Sequence, residues 1–241
     1  MKAIVTGSQG FIGRHLVAYL RRRGHEVVGV DVAGEADVVR DVVERGLYGL
    51  PADALYHLAA SPSRPDGREP ERGGNNAALA GRVIGWADEN PQGLVVFAST
   101  WMAGAAFCGY AKSKADAERI LWRHVPHDRL RIVRLPNVFG PGGHGIVDIL
   151  KRRAAAGEAV TIHGDGSQRR QFMHVDHVVE HLAAPLDAPL HQIEGSPRTI
   201  IGLAKSSGAK IEYAPDPGFG PELHTVPLMW DRSYIEKYLN E

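Results

Sequence analysis

The chain has 241 residues, 44% of them hydrophobic, and its 28 basic side chains are matched by 28 acidic ones. A formally neutral chain of this length can build one substantial core, or one core with a small attached lobe, and has no bulk electrostatic attraction to nucleic acid or to a membrane surface. The single cysteine, Cys108, excludes an intrachain disulfide, and no apolar stretch approaches the roughly 20 residues a membrane helix needs.

In chain order, Met1-Lys2 leads straight into Ala3-Ile4-Val5, without the long apolar run and cleavage site of a secretory signal, so a cytoplasmic protein is expected. Lys2 to Thr6 reads as a strand. Phe11 to Arg23 reads as a helix with Ile12, Leu16, Val17 and Leu20 on one face. The basic run Arg21-Arg22-Arg23 before Gly24 is an ordinary helix end. Glu26 to Asp31, Ala36 to Val39, Ala54 to Ala59, Leu94 to Ala98 and Leu130 to Leu135 are further predicted strands, and Asn76 to Glu89 and Tyr110 to His124 are predicted helices. Segment 61–74 reads as an exposed loop. Continuously apolar strands alternating with helices predict a Rossmann-type, doubly wound parallel sheet, residues 1–135.

After Pro136 the pattern changes. Asn137 to Gly145 reads as an ordered loop, Val147 to Ala156 as a helix and Val160 to His163 as a strand. A turn at Gly164-Asp165-Gly166-Ser167 and a helix from near Asp176 come next. Then come a strand from His191, a helix over Ile200 to Ser207, a strand at Lys210 to Tyr213 and a short helix near Tyr234. Residues 136–241 are expected to form mainly a small substrate-binding lobe, with some segments returning to the first sheet.

Two constellations carry chemistry. Gly7-Ser8-Gln9-Gly10-Phe11-Ile12-Gly13 joins the first strand to the first helix. Glycines there let a pyrophosphate approach the backbone, and the helix N-terminus offers N–H groups to it, so the turn predicts a dinucleotide site. Asp31, ending the second strand with no arginine close behind it, would accept ribose hydroxyls and repel a 2′-phosphate, which favours NAD over NADP. Tyr110 and Lys114 share a helix face, and an ammonium beside a phenol makes it a usable acid or base. Thr100, ending a strand, could bind the same substrate oxygen.

Together with Asp41-Val42, His57-Leu58-Ala59-Ala60, Phe97-Ala98-Ser99-Thr100, Leu135-Pro136-Asn137-Val138-Phe139-Gly140-Pro141 and Phe172-Met173-His174-Val175-Asp176, these motifs resemble the extended short-chain dehydrogenase/reductases. The similarity is to the NAD-dependent epimerase/dehydratase group acting on nucleotide sugars, in particular to the 4-epimerases. The resemblance implies that Gly7, Gly10, Phe11, Ile12, Gly13, Asp31, Asp41, Val42, Leu58, Ala59, Ala60, Asn76, Tyr110, Lys114 and Pro136 hold NAD. Asp41 and Val42 would flank the adenine, and Pro136 would lie against the nicotinamide. Thr100, Tyr110 and Lys114 would be the catalytic trio. Thr100, Asn137 and Arg170 would bind a nucleotide-diphosphate sugar, the arginine at its diphosphate. A homodimer through helices 76–89 and 110–124 is implied as well.

Only ten positions separate Thr100 from Tyr110, fewer than the family usually has, and the C-terminal part is short, so the pocket is expected to be open or completed by another subunit. Trp101 and Met102 stand where the family's dehydratases carry an Asp-Glu pair and a decarboxylating relative a glutamate, so elimination lacks its proton shuttle. The expected activity is NAD-dependent epimerisation at C4 through a transient keto sugar. The alternatives are reduction of a 4-keto nucleotide sugar and a non-catalytic NAD-binding role. His174, His177 and His181 are read as structural rather than as a metal site, and Cys108 as a loop residue.

Overall fold

The computed structural model describes residues 1–32, 34–60, 75–104, 109–185 and 188–215. The predicted loop 61–74, Cys108 and the predicted helix near Tyr234 lie outside the described residues. The chain divides into two compact units. One holds Met1–Leu135 with Val179–Ile193, and the other Pro136–Val178 with the stretch that begins at Glu194.

In the first unit β1 (Lys2–Thr6), α1 (Phe11–Arg22), β2 (Glu26–Asp31), β3 (Val38–Val39), α2 (Val42–Arg45), β4 (Ala54–His57), α3 (Asn75–Glu89), β5 (Leu94–Thr100), a 3₁₀ turn at Trp101–Gly104, α4 (Gly109–His124) and β6 (Leu130–Leu135) succeed one another. In the second come β7 (Asn137–Phe139), α5 (Ile146–Ala155), β8 (Ala159–His163) and β9 (Arg169–His174), then the start of α6 (Val175–Ala183). β10 (Leu190–Gln192) belongs to the first unit. β11 (Ser196–Thr199), α7 (Ile200–Ser207) and β12 (Lys210–Ala214) complete the second.

The first unit is a seven-stranded sheet in the order β10-β6-β5-β4-β1-β2-β3, and every pairing in it is parallel. Parallel strands are covered on both faces, which is why β1, β4 and β5 are buried almost without interruption. Ile4, Leu55, Val95, Phe97 and Ile132 from the strands pack with Val83 and Trp86 of α3 and Leu121 of α4. The strand order reverses between β1 and β4. A doubly wound sheet opens its ligand crevice there, at the carboxyl ends of the strands.

The predicted third strand, 36–39, is shortened to Val38–Val39 because the Asp37 carboxylate is engaged elsewhere. It accepts the Gly29 N–H at 2.7 Å and a bond from Arg21 at 2.7 Å, so a side chain satisfies the β2 amide that a longer β3 would have taken. The second unit holds a three-stranded sheet, β11-β9-β7, and a parallel pair, β12-β8. Part of the predicted loop Asn137 to Gly145 is strand β7. It pairs with Phe172–His174, a partner too remote in sequence for periodicity to reveal. A small core of Leu150, Val160, Ile162 and Ala204 holds α5 and α7 against the β12-β8 pair.

Candidate active site

The turn after β1 is built for close approach. Gly7 sits at φ +68°, and a Cβ there would lie 2.8 Å from the Ala59 amide nitrogen, so the loop after β1 rests directly on the loop after β4. Gly10 donates its N–H to the Gly7 carbonyl at 3.0 Å. At Gly13 a Cβ would lie 2.0 Å from that same carbonyl oxygen, so only glycine lets α1 start this close to the turn. Gly10 is the N-cap of α1, and neither a capping side chain nor an acidic residue occupies the first turn. The Ser8 Oγ is buried without a hydrogen-bond partner among the described residues. An uncapped helix start behind a glycine turn fits a pyrophosphate.

Asp31 stands beside this turn at the end of β2. One carboxylate oxygen accepts the Gln9 N–H at 2.9 Å and the other the Val32 N–H at 2.7 Å. Both oxygens keep further lone pairs for ribose hydroxyls. Across the crevice, Leu58 donates its N–H to the Thr6 carbonyl at 3.2 Å, and Ala59 donates to Thr6 Oγ1 at 3.2 Å. Ala60 comes directly after them. Phe11 and Ile12 open α1. Asp41 and Val42 have local duties. Asp41 caps α2 by accepting from the Val43 and Glu44 amides, and Val42 is buried in the main core.

The predicted trio lies on β5 and α4. Thr100 ends β5 half-buried, and its hydroxyl accepts the Met102 N–H at 3.3 Å. Tyr110 and Lys114 lie one turn apart on α4. Lys114 is only 3% exposed. Its Nζ donates to the Ala98 carbonyl at 2.9 Å and stands 4.6 Å over the Phe97 ring. Burial pulls its pKa from 10.5 down to about 8, and the Glu118 charge opposes that fall. His57 stacks on Phe97 at 5.9 Å, and its Nδ1 is 2.8 Å from Thr6 Oγ1. Burial first, and the Lys114 charge second, bring His57 down to about 3, so it is neutral at physiological pH. Asn76 is buried, and its amide donates to Ser113 Oγ at 2.8 Å. That hydroxyl donates in turn to the Tyr110 carbonyl at 2.8 Å, bracing the first turn of α4 from α3.

Three participants are missing from the sequence-based set: Ser99, Glu118 and Arg134. The Arg134 guanidinium contacts both Glu118 oxygens, with Nε at 3.0 and 3.2 Å and Nη2 at 2.6 Å. Ser99 donates a short bond to the same carboxylate. An arginine between Val133 and Leu135 in a predicted core strand, and an acid one turn beyond Lys114, were the available signals.

Pro136, Asn137 and Arg170 belong to the second unit. Pro136 is buried, and Asn137 donates its side-chain N–H to the Gln171 carbonyl at 3.1 Å. Arg170, on β9 of the same small sheet, is half-buried beside Gln168, and burial lowers its pKa. His174 is engaged by Asp176 and lies edge-on to Phe139. Among the described residues no group of three His, Cys, Asp or Glu side chains could hold a metal ion, and no helix is long and apolar enough to cross a membrane.

Comparison with known proteins identifies the family. A UDP-glucuronic acid decarboxylase of Danio rerio is 26% identical over 92% of this chain, and the chain spans 65% of that protein's length. A UDP-glucose 4-epimerase of Mycolicibacterium smegmatis is 28% identical over 75% of this chain and 71% of its own. The solved structure of a UDP-glucose 4-epimerase from Thermotoga maritima, with UDP-glucose, superposes with a TM-score of 0.80 at 23% identity, over 97% of this chain and 91% of that one. The model of the NAD dependent epimerase/dehydratase family matches residues 3–196. The chain therefore belongs to that family, the extended short-chain dehydrogenase/reductases, and its cofactor is NAD.

Proposed function

We propose that this chain is an epimerase of a nucleotide sugar, acting at C4 through a transient keto sugar. The observation that carries the reading is Lys114. It is a buried lysine gripped by the Ala98 carbonyl, on the α4 face it shares with Tyr110, one residue of strand short of Ser99 and two short of Thr100. An ammonium there favours the phenolate of Tyr110, which takes the proton of a sugar hydroxyl and later gives it back. Thr100 Oγ1 holds the reacting oxygen. NAD, when bound, would supply the hydride acceptor for the carbon that bears this hydroxyl. Gly7, Gly10 and Gly13 with the start of α1 would hold its pyrophosphate, and Asp31 its ribose.

The choice of epimerisation rests on the two side chains next to Thr100. Trp101 is buried, with its indole N–H given to the Ile193 carbonyl at 2.7 Å, and Met102 is its neighbour. Neither side chain can move a proton, so the catalysed change is confined to the one carbon that loses and regains hydride. In the second unit Asn137 and Arg170 are assigned to the sugar phosphates. The same reading makes the protein a cytoplasmic homodimer packed through α3 and α4.

The test is incubation of the purified chain with NAD and UDP-, dTDP-, GDP- and CDP-sugars, ranked by thermal shift, with sugar analysis of the products. Interconversion of two C4 epimers without net change in nicotinamide absorbance is expected, and Tyr110→Phe should abolish it while NAD still binds. Stoichiometric consumption of reduced cofactor would replace the epimerase with a keto-sugar reductase. NAD binding without turnover of any sugar would leave a non-catalytic protein.

A further inference from the structure

Helix α4 meets β5 through consecutive strand residues. Ala98 accepts Lys114 Nζ, Ser99 grips Glu118 and Thr100 ends the strand. Glu118 is fully buried, and its partner Arg134 is 1% exposed. Buried charge pairs are seldom more stabilising than apolar residues of the same volume, so stability alone is a poor reason for this one. Its location supplies a better reason. The pair fixes α4 to β5 and β6 one helical turn below Lys114, and through Ser99 it does so at the residue next to Thr100.

We propose that Glu118, locked to Arg134 and Ser99, is a positioning residue that sets the register of α4 on β5 and the electrostatic environment of the Lys114 ammonium. The proposal rests on the assignment of Thr100, Tyr110 and Lys114 made above. The titratable groups that interact with Lys114 are Glu118 from its own helix and His57 from β4; Tyr110 lies one turn before it on α4, and Arg134 of β6 is paired with Glu118. His57 is neutral, so Glu118 is the negative charge among them that keeps the ammonium protonated against desolvation. Without it, Lys114 would release its proton at lower pH, and Tyr110 would lose its cation within the working range.

The experiment tracks the ε-carbon of Lys114 by NMR in protein labelled with ¹³C-lysine, with the signal assigned by Lys114→Met, alongside the pH profile of kcat/KM. Four proteins are compared: the parent, Ser99→Ala, Glu118→Asp and the double variant Glu118→Gln/Arg134→Gln, which leaves no lone charge in the core. In the double variant the Lys114 midpoint should fall from near 8 by about half a pH unit or more, roughly threefold in proton affinity, and the basic limb of activity should fall with it. Glu118→Asp should restore the midpoint. Ser99→Ala should leave the midpoint in place and reduce kcat by about tenfold with little change in KM for NAD, because the reacting groups lose alignment.

An unmoved Lys114 midpoint in a folded double variant overturns the electrostatic role. An equal loss of kcat at every pH, with no movement of the limb, assigns the pair a merely structural one. Full kcat in Ser99→Ala overturns the register role, whether or not the double variant folds. The NMR midpoint is readable without turnover, so failure of the epimerase assignment shows separately, as absence of activity in the parent.

Discussion

Gly13→Ala offers a sharp test of the cofactor turn. The new Cβ would stand 2.0 Å from the Gly7 carbonyl oxygen, 2.8 Å from the carbonyl carbon and 2.9 Å from the Ser8 Cα. All three neighbours are backbone, so no rotamer change relieves the clash. The turn itself must retreat by about 1 Å or more to reach ordinary contact. Overpacking of this kind costs about 1–3 kcal/mol, partly offset by the ~1 kcal/mol that alanine gains over glycine within a helix. The net loss of stability is therefore expected to be small, about 0–2 kcal/mol.

The effect on NAD should be larger, because the same displacement moves the amides at the start of α1 away from the pyrophosphate. Losing hydrogen bonds to a charged group removes about 2–3 kcal/mol of binding, a rise of roughly 30- to 150-fold in Kd. Gly24→Ala is the control. Gly24 also has a positive φ, +80°, but none of the described residues lies within 4 Å of its would-be Cβ. It should lose about 1 kcal/mol of stability and no affinity. Calorimetric titration with NAD and urea unfolding of both variants decide the matter. A Gly13→Ala protein that is folded and binds NAD as tightly as the parent would refute the placement of the pyrophosphate.

Other consequences can be measured directly. Lys114 titrates near 8 when folded against 10.5 when unfolded, so the unfolded state binds more protons between those values and stability should rise with pH across them. Lys114→Met should flatten that rise in urea unfolding at pH 7.5–10 and abolish turnover. It should also be more stable than the parent at pH 7, by up to about 3 kcal/mol. His57 titrates near 3 when folded against 6.5, so stability should fall as pH drops through that interval, and His57→Gln should lose less of it on acidification. Ser113→Ala breaks the relay from Asn76 to the Tyr110 carbonyl and should cost about 1–3 kcal/mol in urea unfolding.

Distance along the chain decides which elements are legible in the sequence and which are not. The longer strands of the first unit announce themselves because both their faces are covered, so stretches such as Ala3-Ile4-Val5 and Leu94-Val95-Val96-Phe97-Ala98 read as apolar runs. The glycine turn is legible because its constraints are local, within seven residues. β7 reads as loop because it is three residues long and becomes a strand only by pairing with Phe172–His174, some 35 positions on. The 3₁₀ turn at Trp101–Gly104 has no sequence period of its own. It is held by Trp101, whose indole reaches Ile193 from 92 positions away.

Glu118 shows why part of the site stays hidden. An acid four residues after a lysine on a helix is the ordinary sign of a solvent-exposed pair, worth a few tenths of a kcal/mol. Depth inverts that reading. Alanines at 111, 115 and 117 let α4 lie close against its neighbours, leaving Lys114 and Glu118 inside. Once they are inside, each must find a partner. Lys114 finds a carbonyl and the face of Phe97, and Glu118 finds the guanidinium of Arg134 and the Ser99 hydroxyl. Arg134 is then no anomaly at a buried strand position, since β6 supplies the charge that an acid buried on α4 requires. The small residues of α4, the acid below its lysine and the arginine across the sheet are one arrangement, visible only when the three elements are seen together.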